Sequence, residues 1–518
     1  MIDRLVRHRA LVALLGLGLA FRAVLAFAVF PMAGFATDMG MFWQWAQALA
    51  SGGPSTFYAS VPSANYPPAY LYVLWLLGTI GHPELLKLPA MLADAGVATL
   101  VYVLATRLRD RRTGLVAAAL FLFIPVTWYD SALWGQVDAV GTLVAVAALV
   151  LLIDGWSEAA LATAVLAVLV KPQYAITLGI VLPVLVRRHL IRVGSGPNPR
   201  LGRRLGRLDT VLGGLLADQG PRRLVSSGVV ASIVGLVVIL PFDLARYAPT
   251  SLADVPIIAN VAGLAGLFGR LGSEYSVLTA DAFNPWALVG EPSLRAVVAA
   301  GSGSWLSDSL PVLGGLPAVT VGAGLLVVVG ALVVGGLLIR DGAVPLLLGF
   351  TILALAFFVL PTRVHERYLF PFFATGAVLA APGLGRVAGL LGVAGLNTAN
   401  LHAVLAGGLS IAMGGGTAGT GGSRAFGAAS GGPAGGRGGG GFGGVFTQLA
   451  LPFGDLARSD LAVTASALGL GAALVLLVGT WVVIIWRRVR PAAAPSPASS
   501  PASVTETGAF SPGGSTVR

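Results

Sequence analysis

The segment LLKLPAMLADAGVATLVYVLATRLRDRRTGLVAAALFLFIPVTWY (85–129) determines the fold class. Two apolar runs, 85–107 and 114–129, flank the basic loop RLRDRRTG (107–114). An apolar helix of about 20 residues crosses the hydrocarbon core of a bilayer, and short basic loops stay on the cytoplasmic side. The segment therefore predicts two membrane helices that are joined in the cytoplasm.

The whole chain has the composition of a membrane protein. Of its 518 residues, 56% are hydrophobic and 11% are charged, whereas about 25% are charged in an average soluble domain. The net charge of +11 lies in short basic clusters between apolar runs, which is typical of cytoplasmic loops and not of a nucleic-acid-binding surface. The chain has no cysteine, which excludes disulfides, thiolate metal sites and cysteine nucleophiles.

The hydrophobic pattern predicts an all-α polytopic membrane protein with about twelve spans. The predicted spans are 10–30, 85–107, 114–129, 138–153, two within 159–187 that break at Lys171-Pro172-Gln173, 224–241, 312–339, 344–361, 368–384, 387–413 and 460–486. The basic start and the first apolar run could form a signal peptide, but the run is long and Arg22 interrupts it. We therefore expect an uncleaved helix with a cytoplasmic N-terminus. The short stretch 67–81 begins with two prolines, which indicates a re-entrant or interfacial helix.

The loops divide the chain into segments. Residues 187–223 contain nine Arg and two Asp and are predicted to be cytoplasmic, whereas 31–84 and 242–311 form outer loops. Residues 1–413 make up the membrane module, and 445–490 supply the C-terminal span. Residues 414–444 contain 17 Gly in 31 positions and are predicted to be a disordered outer loop. The tail 491–518 is predicted to be disordered and cytoplasmic.

Asp38 lies at the outer end of the first span. It comes just before a helix in FATDMGMFWQWAQAL (35–49), whose residues Met41, Phe42, Trp45, Ala48 and Leu49 share one face. That apolar face predicts an interfacial helix that lies on the membrane. Asp38 could cap this helix by accepting its free N–H groups, or act as a general base at the bilayer surface. The two roles are compatible.

Two further clusters lie at predicted outer ends of helices. In WYDSALWGQVDAV (128–140), Asp130 and Asp138 flank Gln136, and the two carboxylates could bind a cation or sugar hydroxyls; alternatively, Asp138 caps the following span. Lys171 precedes Pro172 and Gln173 inside a long apolar stretch. A lysine there is costly and is a functional candidate, unless its side chain reaches the interface.

The segment PTRVHERYLFP (361–371) is dense in ionisable residues. Guanidinium groups such as those of Arg363 and Arg367 are suited to phosphate, and His365 beside Glu366 could donate to a leaving phosphate oxygen.

Three charges lie inside predicted spans, namely those of Arg22, Lys87 and Asp94. Because an unpaired charge is costly there, we expect either an ion pair between helices or a catalytic role.

Together these motifs resemble the GT-C superfamily of glycosyltransferases, the membrane enzymes that use lipid-phosphate-linked sugars. The resemblance covers residues 10–385 and rests on the order of its motifs. They are the first outer loop with Asp38, NYPPAYLYVLW (65–75), LWGQVDAV (133–140), Lys171-Pro172-Gln173 and HERYLFP (365–371). With AFNPWAL (282–288), the chain is most similar to bacterial mannosyltransferases related to the enzyme that adds the second mannose of the GPI anchor. The Tyr-Pro-Pro and His-Glu-Arg elements are also similar to those of dolichyl-phosphate-glucose glucosyltransferases.

The resemblance implies a GT-C-like bundle whose long first outer loop carries interfacial helices. It implies transfer of a hexose, mannose, from a polyprenyl-phosphate donor to a lipid-linked, glycan or protein acceptor on the outer face of a bacterial plasma membrane. Asp38 would take the proton from the acceptor hydroxyl, with inversion at the anomeric carbon. The other candidate substrate-binding residues are Asp130, Gln136, Asp138, Lys171, Gln173, Arg363, His365, Glu366 and Arg367. The superfamily often carries an acidic pair in the first loop, but here only Asp38 is obvious, so neither a metal site nor a divalent cation is supported.

The main alternative is a transporter or flippase of lipid-linked sugars. It predicts polar residues through the full depth of the bundle, an inverted repeat and a cytoplasmic gate. In this chain the ionisable groups of the motifs cluster at predicted outer ends, which favours an enzyme. A non-catalytic membrane partner would leave the His-Glu-Arg cluster unexplained.

The arginine distribution makes a testable topology prediction. Residues 187–223 are expected in the cytoplasm, and 242–311 and 414–444 outside. Because the chain has no native cysteine, Ser195→Cys should stay unlabelled by a membrane-impermeant maleimide on intact cells, whereas Ser251→Cys should react. Labelling of Ser195→Cys on intact cells would contradict the predicted orientation.

Overall fold

The computed structural model describes residues 9–29, 34–191, 220–252, 254–289, 306–412 and 453–489. Within these ranges the regular structure is helical apart from one two-stranded hairpin. The helices of the N-terminal half are α1 (Arg9–Ala23), α2 (Ala36–Gly52), α3 (Pro54–Ser60), α4 (Pro68–Ile80), α5 (Leu88–Leu108), α6 (Arg111–Phe123), α7 (Pro125–Trp128), α8 (Asp138–Ile153), α9 (Ser157–Val170) and α10 (Ile176–Val186). The C-terminal half contains α11 (Pro221–Ile239), α12 (Pro256–Ser273), the strands β1 (Pro311–Leu313) and β2 (Leu316–Pro317), and then α13 (Ala318–Ile339), α14 (Ala343–Val359), α15 (Phe370–Ala380), α16 (Leu384–Ala412), α17 (Gly454–Ala457) and α18 (Asp460–Val489).

The predicted all-α polytopic class is confirmed at the level of length and hydropathy. Seven described segments could cross a bilayer: Arg9–Val29, Pro83–Leu108, Pro172–Ile191, Pro221–Ile239, Ala318–Ile339, Leu384–Ala406 and Asp460–Ile485. The pair Arg111–Phe123 and Pro125–Trp134, bent by 51°, would make an eighth. The helices α8, α9, α14 and α15 also occupy predicted spans but have only 10–17 residues. The number twelve therefore stays a prediction.

Loops that are predicted to share a side of the membrane contact one another. Ion pairs join Arg107 to Asp154 at 2.8 Å and Arg223 to Glu158 at 3.1 Å. Asp341 accepts from Arg188 at 2.6 Å, and also from Arg187. All of these residues lie in or beside loops that the arginine distribution assigns to the cytoplasm. These pairs bring the ends of α5, α8, α9, α10, α11 and α13 together, and the side of the membrane on which they lie stays a prediction.

The centre of the bundle is α14, which is apolar and buried over almost its full length. It packs against α10, α13, α15 and α18. A helix that is hydrophobic on all sides is stable only when other helices or lipid surround it, so α14 is an internal helix of the bundle.

Protein covers the apolar face of the predicted interfacial helix at 35–49, which corrects the prediction that this face lies on the membrane. In α2, Phe42, Trp45 and Leu49 are fully buried, and the helix packs against α4. Three tyrosines of the first loop, Tyr58, Tyr66 and Tyr70, complete this aromatic layer. Because the apolar face has a protein partner, lipid does not cover it.

The predicted span 312–339 begins later than expected. Residues 311–317 form the hairpin of β1 and β2, in which Gly314 and Gly315 both have positive φ angles of 58° and 82°. A two-residue turn with positive φ at both positions matches the twist of a hairpin, and glycine adopts it without strain. The span therefore starts at Ala318.

Several predictions fall outside the described residues. They concern the Gly-rich loop 414–444, the tail 491–518, and residues 192–219 of the basic loop 187–223. The same holds for 31–33 of the first outer loop, for 253 and 290–305 of the second, and for 445–452 of the C-terminal segment.

Arg22 forms a buried ion pair with Asp94 that joins three helical segments. Its Nε donates to Asp94 at 2.7 Å, and its other nitrogens donate to Leu122 O and Thr127 Oγ1, both at 3.0 Å. Ser131 also donates to Asp94, at 2.5 Å. The pair thus links α1 and α5 to the bend between α6 and α7, which is the expected pairing between helices.

Removing one partner of this pair should destabilise the fold strongly. Asp94→Ala leaves a buried guanidinium without its counter-ion, which should lower the free energy of unfolding by about 3–5 kcal/mol. Arg107→Ala breaks a partly exposed pair and should lower it by about 1 kcal/mol or less. Thermal unfolding in detergent measures both. Equal shifts in the melting temperature would contradict a structural role for the Arg22–Asp94 pair.

Candidate active site

The turn between α7 and α8 builds the centre of the site. Pro125 bends the chain, and a π-helical turn, Tyr129–Trp134, follows. The carbonyl oxygen of Asp130 accepts from the backbone N–H groups of Gly135 and Gln136, at 3.0 and 2.9 Å. Gly135 has a φ of 87°, which a residue with a Cβ rarely adopts. This tight turn projects the side chains of Trp134 and Gln136 toward α2.

Asp38 is held by that turn. Its Oδ2 accepts hydrogen bonds from Trp134 Nε1, at 2.9 Å, and from Gln136 Nε2. The backbone of Phe35 donates to Trp134 O at 3.1 Å, and the two rings stack at 4.8 Å. Among the described residues, none donates a hydrogen bond to Oδ1 of Asp38. One oxygen of the carboxylate is thus fixed, and the other is available to a substrate.

The structure does not support the capping role for Asp38. The helix α2 begins at Ala36, its N-cap is Phe35, and no side chain caps it. Asp38 lies in the first turn, where the helix dipole favours a negative charge. Asp138 likewise lies in the first turn of α8, and no side chain caps that helix.

Asp138 forms an ion pair with Lys171 of the Lys171-Pro172-Gln173 motif. The ammonium of Lys171 lies 2.9 and 3.0 Å from the two oxygens of Asp138, and Gln173 Nε2 donates to Oδ1 at 2.7 Å. Lys171 follows the last residue of α9, and Pro172 ends the helix there. Because Lys171 is buried and paired, it does not reach toward the interface. Asp138 has little capacity left for sugar hydroxyls.

Arg367 completes the charged group. Its Nη1 donates to Glu366 Oε1 at 2.5 Å, its Nε lies 4.0 Å from Asp138 Oδ2, and its guanidinium lies over the ring of Trp134 at 5.7 Å. The Nε–H makes no hydrogen bond although it is buried. Among the described residues, none accepts from Nη2 either. One edge of this guanidinium therefore carries free donors.

Tyrosine rings connect the Asp38 half of the site to the Lys171 half. Tyr66 donates to Gln136 Oε1 at 3.2 Å. The ammonium of Lys171 lies 5.9 Å from the ring centre of Tyr66 and 5.0 Å from that of Tyr368, which is within cation–π range. The predicted residues Asp38, Gln136, Asp138, Lys171, Gln173, Glu366 and Arg367 thus belong to one network.

Arg363 does not join this network. Its Nε donates to Asp308 Oδ2 at 2.5 Å, and its Nη1 donates to Gly272 O. Its backbone has a φ of 66°, a strained conformation that the surrounding contacts must hold. Arg363 therefore fastens the outer segment to the start of the His-Glu-Arg motif, and the structure separates it from Arg367.

Asp130 is fully buried, and neither of its carboxylate oxygens has a hydrogen-bond partner among the described residues. Asp138, Lys171 and Arg367 are its strongest electrostatic neighbours. The structure therefore places a buried Asp130 beside the network, without a hydrogen bond to it among the described residues.

His365 packs between Tyr275 and Tyr368, with ring centres at 4.9 and 5.2 Å. Burial lowers the pKa of His365 well below its usual value of 6.5, and the positive charges of Arg367 and Lys171 lower it further. A neutral imidazole in this position can donate one hydrogen bond but carries no charge to bind phosphate.

Several residues of the site's surroundings were not identified from the sequence. Asn397 donates to Glu366 O at 2.8 Å, Asn400 donates to Asp281 O at 2.7 Å, and His402 Nδ1 lies 2.6 Å from Tyr129 Oη. All three lie in α16. Polar side chains within a predicted span are a signal of such contacts.

No group of three or more His, Cys, Asp or Glu side chains within the described ranges is arranged to hold a metal ion.

Comparisons with known proteins add little to this geometry. No protein-family model matches the chain, and no curated protein does. Two solved structures of an oligosaccharyltransferase of Archaeoglobus fulgidus are similar to it, the AglB protein in complex with an inhibitory peptide and dolichol-phosphate, and an apo form. Each has a TM-score of 0.37 and 14% identity, covering 88% and 89% of this chain and 56% of the archaeal one. The chain thus spans little more than half the length of these proteins, and a TM-score this low does not establish a shared fold.

The low pKa of His365 predicts a pH-dependent stability. The unfolded chain binds a proton at His365 below about pH 6.5, whereas the folded chain does not, so stability should fall as the pH decreases from 7.5 to 5. The slope from this one group is at most about 1.4 kcal/mol per pH unit. The pH dependence of stability is measured as the melting temperatures of the wild type and of His365→Asn between pH 7.5 and pH 5. A slope that the substitution leaves unchanged would contradict a neutral, buried His365.

Proposed function

We propose that the chain is an integral-membrane glycosyltransferase of the GT-C type that transfers a hexose from a polyprenyl-phosphate donor. Mannose is the proposed sugar, and a lipid-linked, glycan or protein hydroxyl is the proposed acceptor. The reaction takes place at the outer face of a bacterial plasma membrane, in a bundle of twelve spans with both termini in the cytoplasm. The observation that carries the proposal is that one network contains an oriented carboxylate with a free oxygen and a guanidinium with free donors.

Asp38 fits the role of the base. A general base needs a fixed carboxylate whose reacting oxygen is open to the acceptor. Trp134 and Gln136 hold Oδ2, and Oδ1 accepts nothing from the described residues. In the reaction the acceptor oxygen forms a bond to the anomeric carbon and its proton passes to Asp38. The bond from that carbon to the phosphate oxygen breaks, and its electron pair leaves with the polyprenyl phosphate.

Arg367 fits the role of the phosphate ligand better than Arg363 does. The leaving phosphate gains negative charge, which preorganised cations stabilise. Arg367 keeps its contact to Glu366 through Nη1, so that Nη2, which has no acceptor among the described residues, can donate to a phosphate oxygen. Arg363 already uses Nε and Nη1 within the protein. Lys171 adds a second positive charge on the other side of Asp138.

The distribution of the paired charges supports an enzyme over a transporter. Among the described residues, the proposed site lies at one end of the bundle, in loops predicted to be outside. Arg22 and Asp94, which lie deeper, are bonded to each other and to the chain bend. A substrate pathway through the membrane would need polar groups that are free to bind substrate along its length.

The central residue of the proposal is Asp38. With polyprenyl-phosphate-[³H]mannose and a membrane extract as the acceptor source, the purified protein should transfer label, and Asp38→Asn should lower turnover by roughly 10²–10⁴-fold. The donor KM should change little, because the carboxylate does not hold the phosphate. Asp154→Asn, at the other end of the bundle, is the matched control. A folded Asp38→Asn protein with wild-type turnover would end the case for Asp38 as the base.

A pair of arginine substitutions tests the phosphate site. Arg367→Gln removes the free donors and should raise the donor KM about tenfold to a hundredfold, since a hydrogen bond to a charged group contributes about 1.5–3 kcal/mol. Arg363→Gln should lower the melting temperature instead, because it releases Asp308, and should leave the KM of the remaining folded protein nearly unchanged. A raised donor KM for Arg363→Gln with an unchanged KM for Arg367→Gln would indicate that Arg363 binds the phosphate instead.

A further inference from the structure

Two outer segments expose apolar side chains that have no partner among the described residues. The first is the hairpin of β1 and β2, where the exposed fractions of Leu313 and Leu316 are 68% and 51%. The second is α12, where Ile257 and Ile258 are exposed by 54% and 51%. We refer to residues 310–317 and the exposed face of α12 as the outer apolar surface.

The hairpin of β1 and β2 has no apolar core of its own that could stabilise it in water. Its strands pair at Pro311–Pro317 and Leu313–Leu316, and every residue of β1 is exposed. An isolated two-stranded hairpin is marginally stable at best, and it needs a hydrophobic face that packs against something. The base is fixed to α13 by hydrogen bonds from Ala318 N to Leu310 O and from Val319 N to Asp308 O. The tip therefore projects from the end of a membrane-spanning helix.

The outer apolar surface adjoins a helix face that contacts lipid, which indicates that lipid also covers the outer apolar surface. The span α13 is apolar along its whole length, yet most of its residues are not buried inside the protein. Val327 and Val328 on α13 are 69% and 57% exposed, and in a bilayer such side chains contact acyl chains. The hairpin is joined directly to this helix, because β2 ends at Pro317 and α13 begins at Ala318.

The helix α12 has the pattern of a helix that lies on a membrane. One face, with Ala259, Gly263 and Leu267, packs on residues 244–247, while Ile257 and Ile258 face away. It is not one of the described segments that could cross a bilayer, although it contacts the span α11. A helix that is apolar on its outward face and is not itself a span can lie in the interface.

We propose that the outer apolar surface inserts into the outer leaflet of the bilayer as a non-spanning lipid contact beside the active site. It is joined to the site at two points. Arg270 at the end of α12 donates to Pro62 O, four residues before Tyr66, and Asp308 at the base of the hairpin binds Arg363. The segment thus holds the site at the depth of the lipid headgroups. This inference does not depend on glycosyl transfer.

The absence of native cysteine allows a direct test. Single variants Leu313→Cys and Ile258→Cys are labelled with the fluorophore NBD and reconstituted in vesicles of phosphatidylcholine and phosphatidylglycerol. The matched control is Ser309→Cys, an exposed polar position at the base of the hairpin. Two quenchers are compared, a doxyl group near the headgroup end of a lipid acyl chain and aqueous iodide.

The labels at positions 313 and 258 should emit at shorter wavelength than the label at 309, with strong quenching by the doxyl lipid and weak quenching by iodide. The label at 309 should show the opposite pattern, which also verifies the orientation in the vesicles. Quenching by iodide alone at both 313 and 258 would overturn the proposal. Protection from both quenchers would overturn it too, because another part of the protein would then cover the surface. Leu316→Cys replaces Leu313→Cys if the latter does not fold.

Discussion

The ion pair between Lys171 and Asp138 is the constraint on which the rest of the site depends. Both side chains are buried at the mouth of an apolar bundle, where a charge without a partner is costly. Asp138 therefore uses both oxygens on Lys171 and one of them on Gln173 as well. Proline at 172 ends the helix directly after Lys171, so the lysine lies where α8 begins and can be paired there. Arg367, at 4.0 Å from the same carboxylate, is positioned by this pair.

Once these charges are paired, the groups that remain free define the chemistry. Nearly every strong donor or acceptor in the network has a protein partner, so the exceptions are informative. Among the described residues they include one oxygen of Asp38, Nε and Nη2 of Arg367 and Oε1 of Gln173, and Trp134 contacts both Asp38 and Arg367. The proposed displacement uses the Asp38 oxygen as the proton acceptor and the Arg367 guanidinium as the anion ligand. The oxygens of Asp130 also have no hydrogen-bond partner among the described residues, and they are fully buried.

The sequence predicts much of the fold, because hydropathy and arginine placement reflect the bilayer directly. It also predicts most of the network, since ionisable residues at helix mouths are conspicuous in an apolar chain. It does not predict which cation is free. Arg363 and Arg367 are equivalent in the sequence, and only the position of Asp308, some 55 residues away, distinguishes them. The sequence predicts an interfacial helix at α2 because periodicity reveals an apolar face but not what covers it. Tyrosines of α4 and the first loop cover α2, and the exposed face belongs to α12.

The central claim is that Asp38 and Arg367 act on the same substrate, and a structure of the reconstituted protein with bound polyprenyl phosphate tests it most directly. The account predicts density for the phosphate within hydrogen-bond distance of Nη2 of Arg367. It also predicts that Oδ1 of Asp38 faces the side on which the sugar of a donor would lie. A phosphate bound at the opposite end of the bundle, beside Arg187 and Arg188, would contradict the account, as would one bound to Arg363 with Arg367 unoccupied.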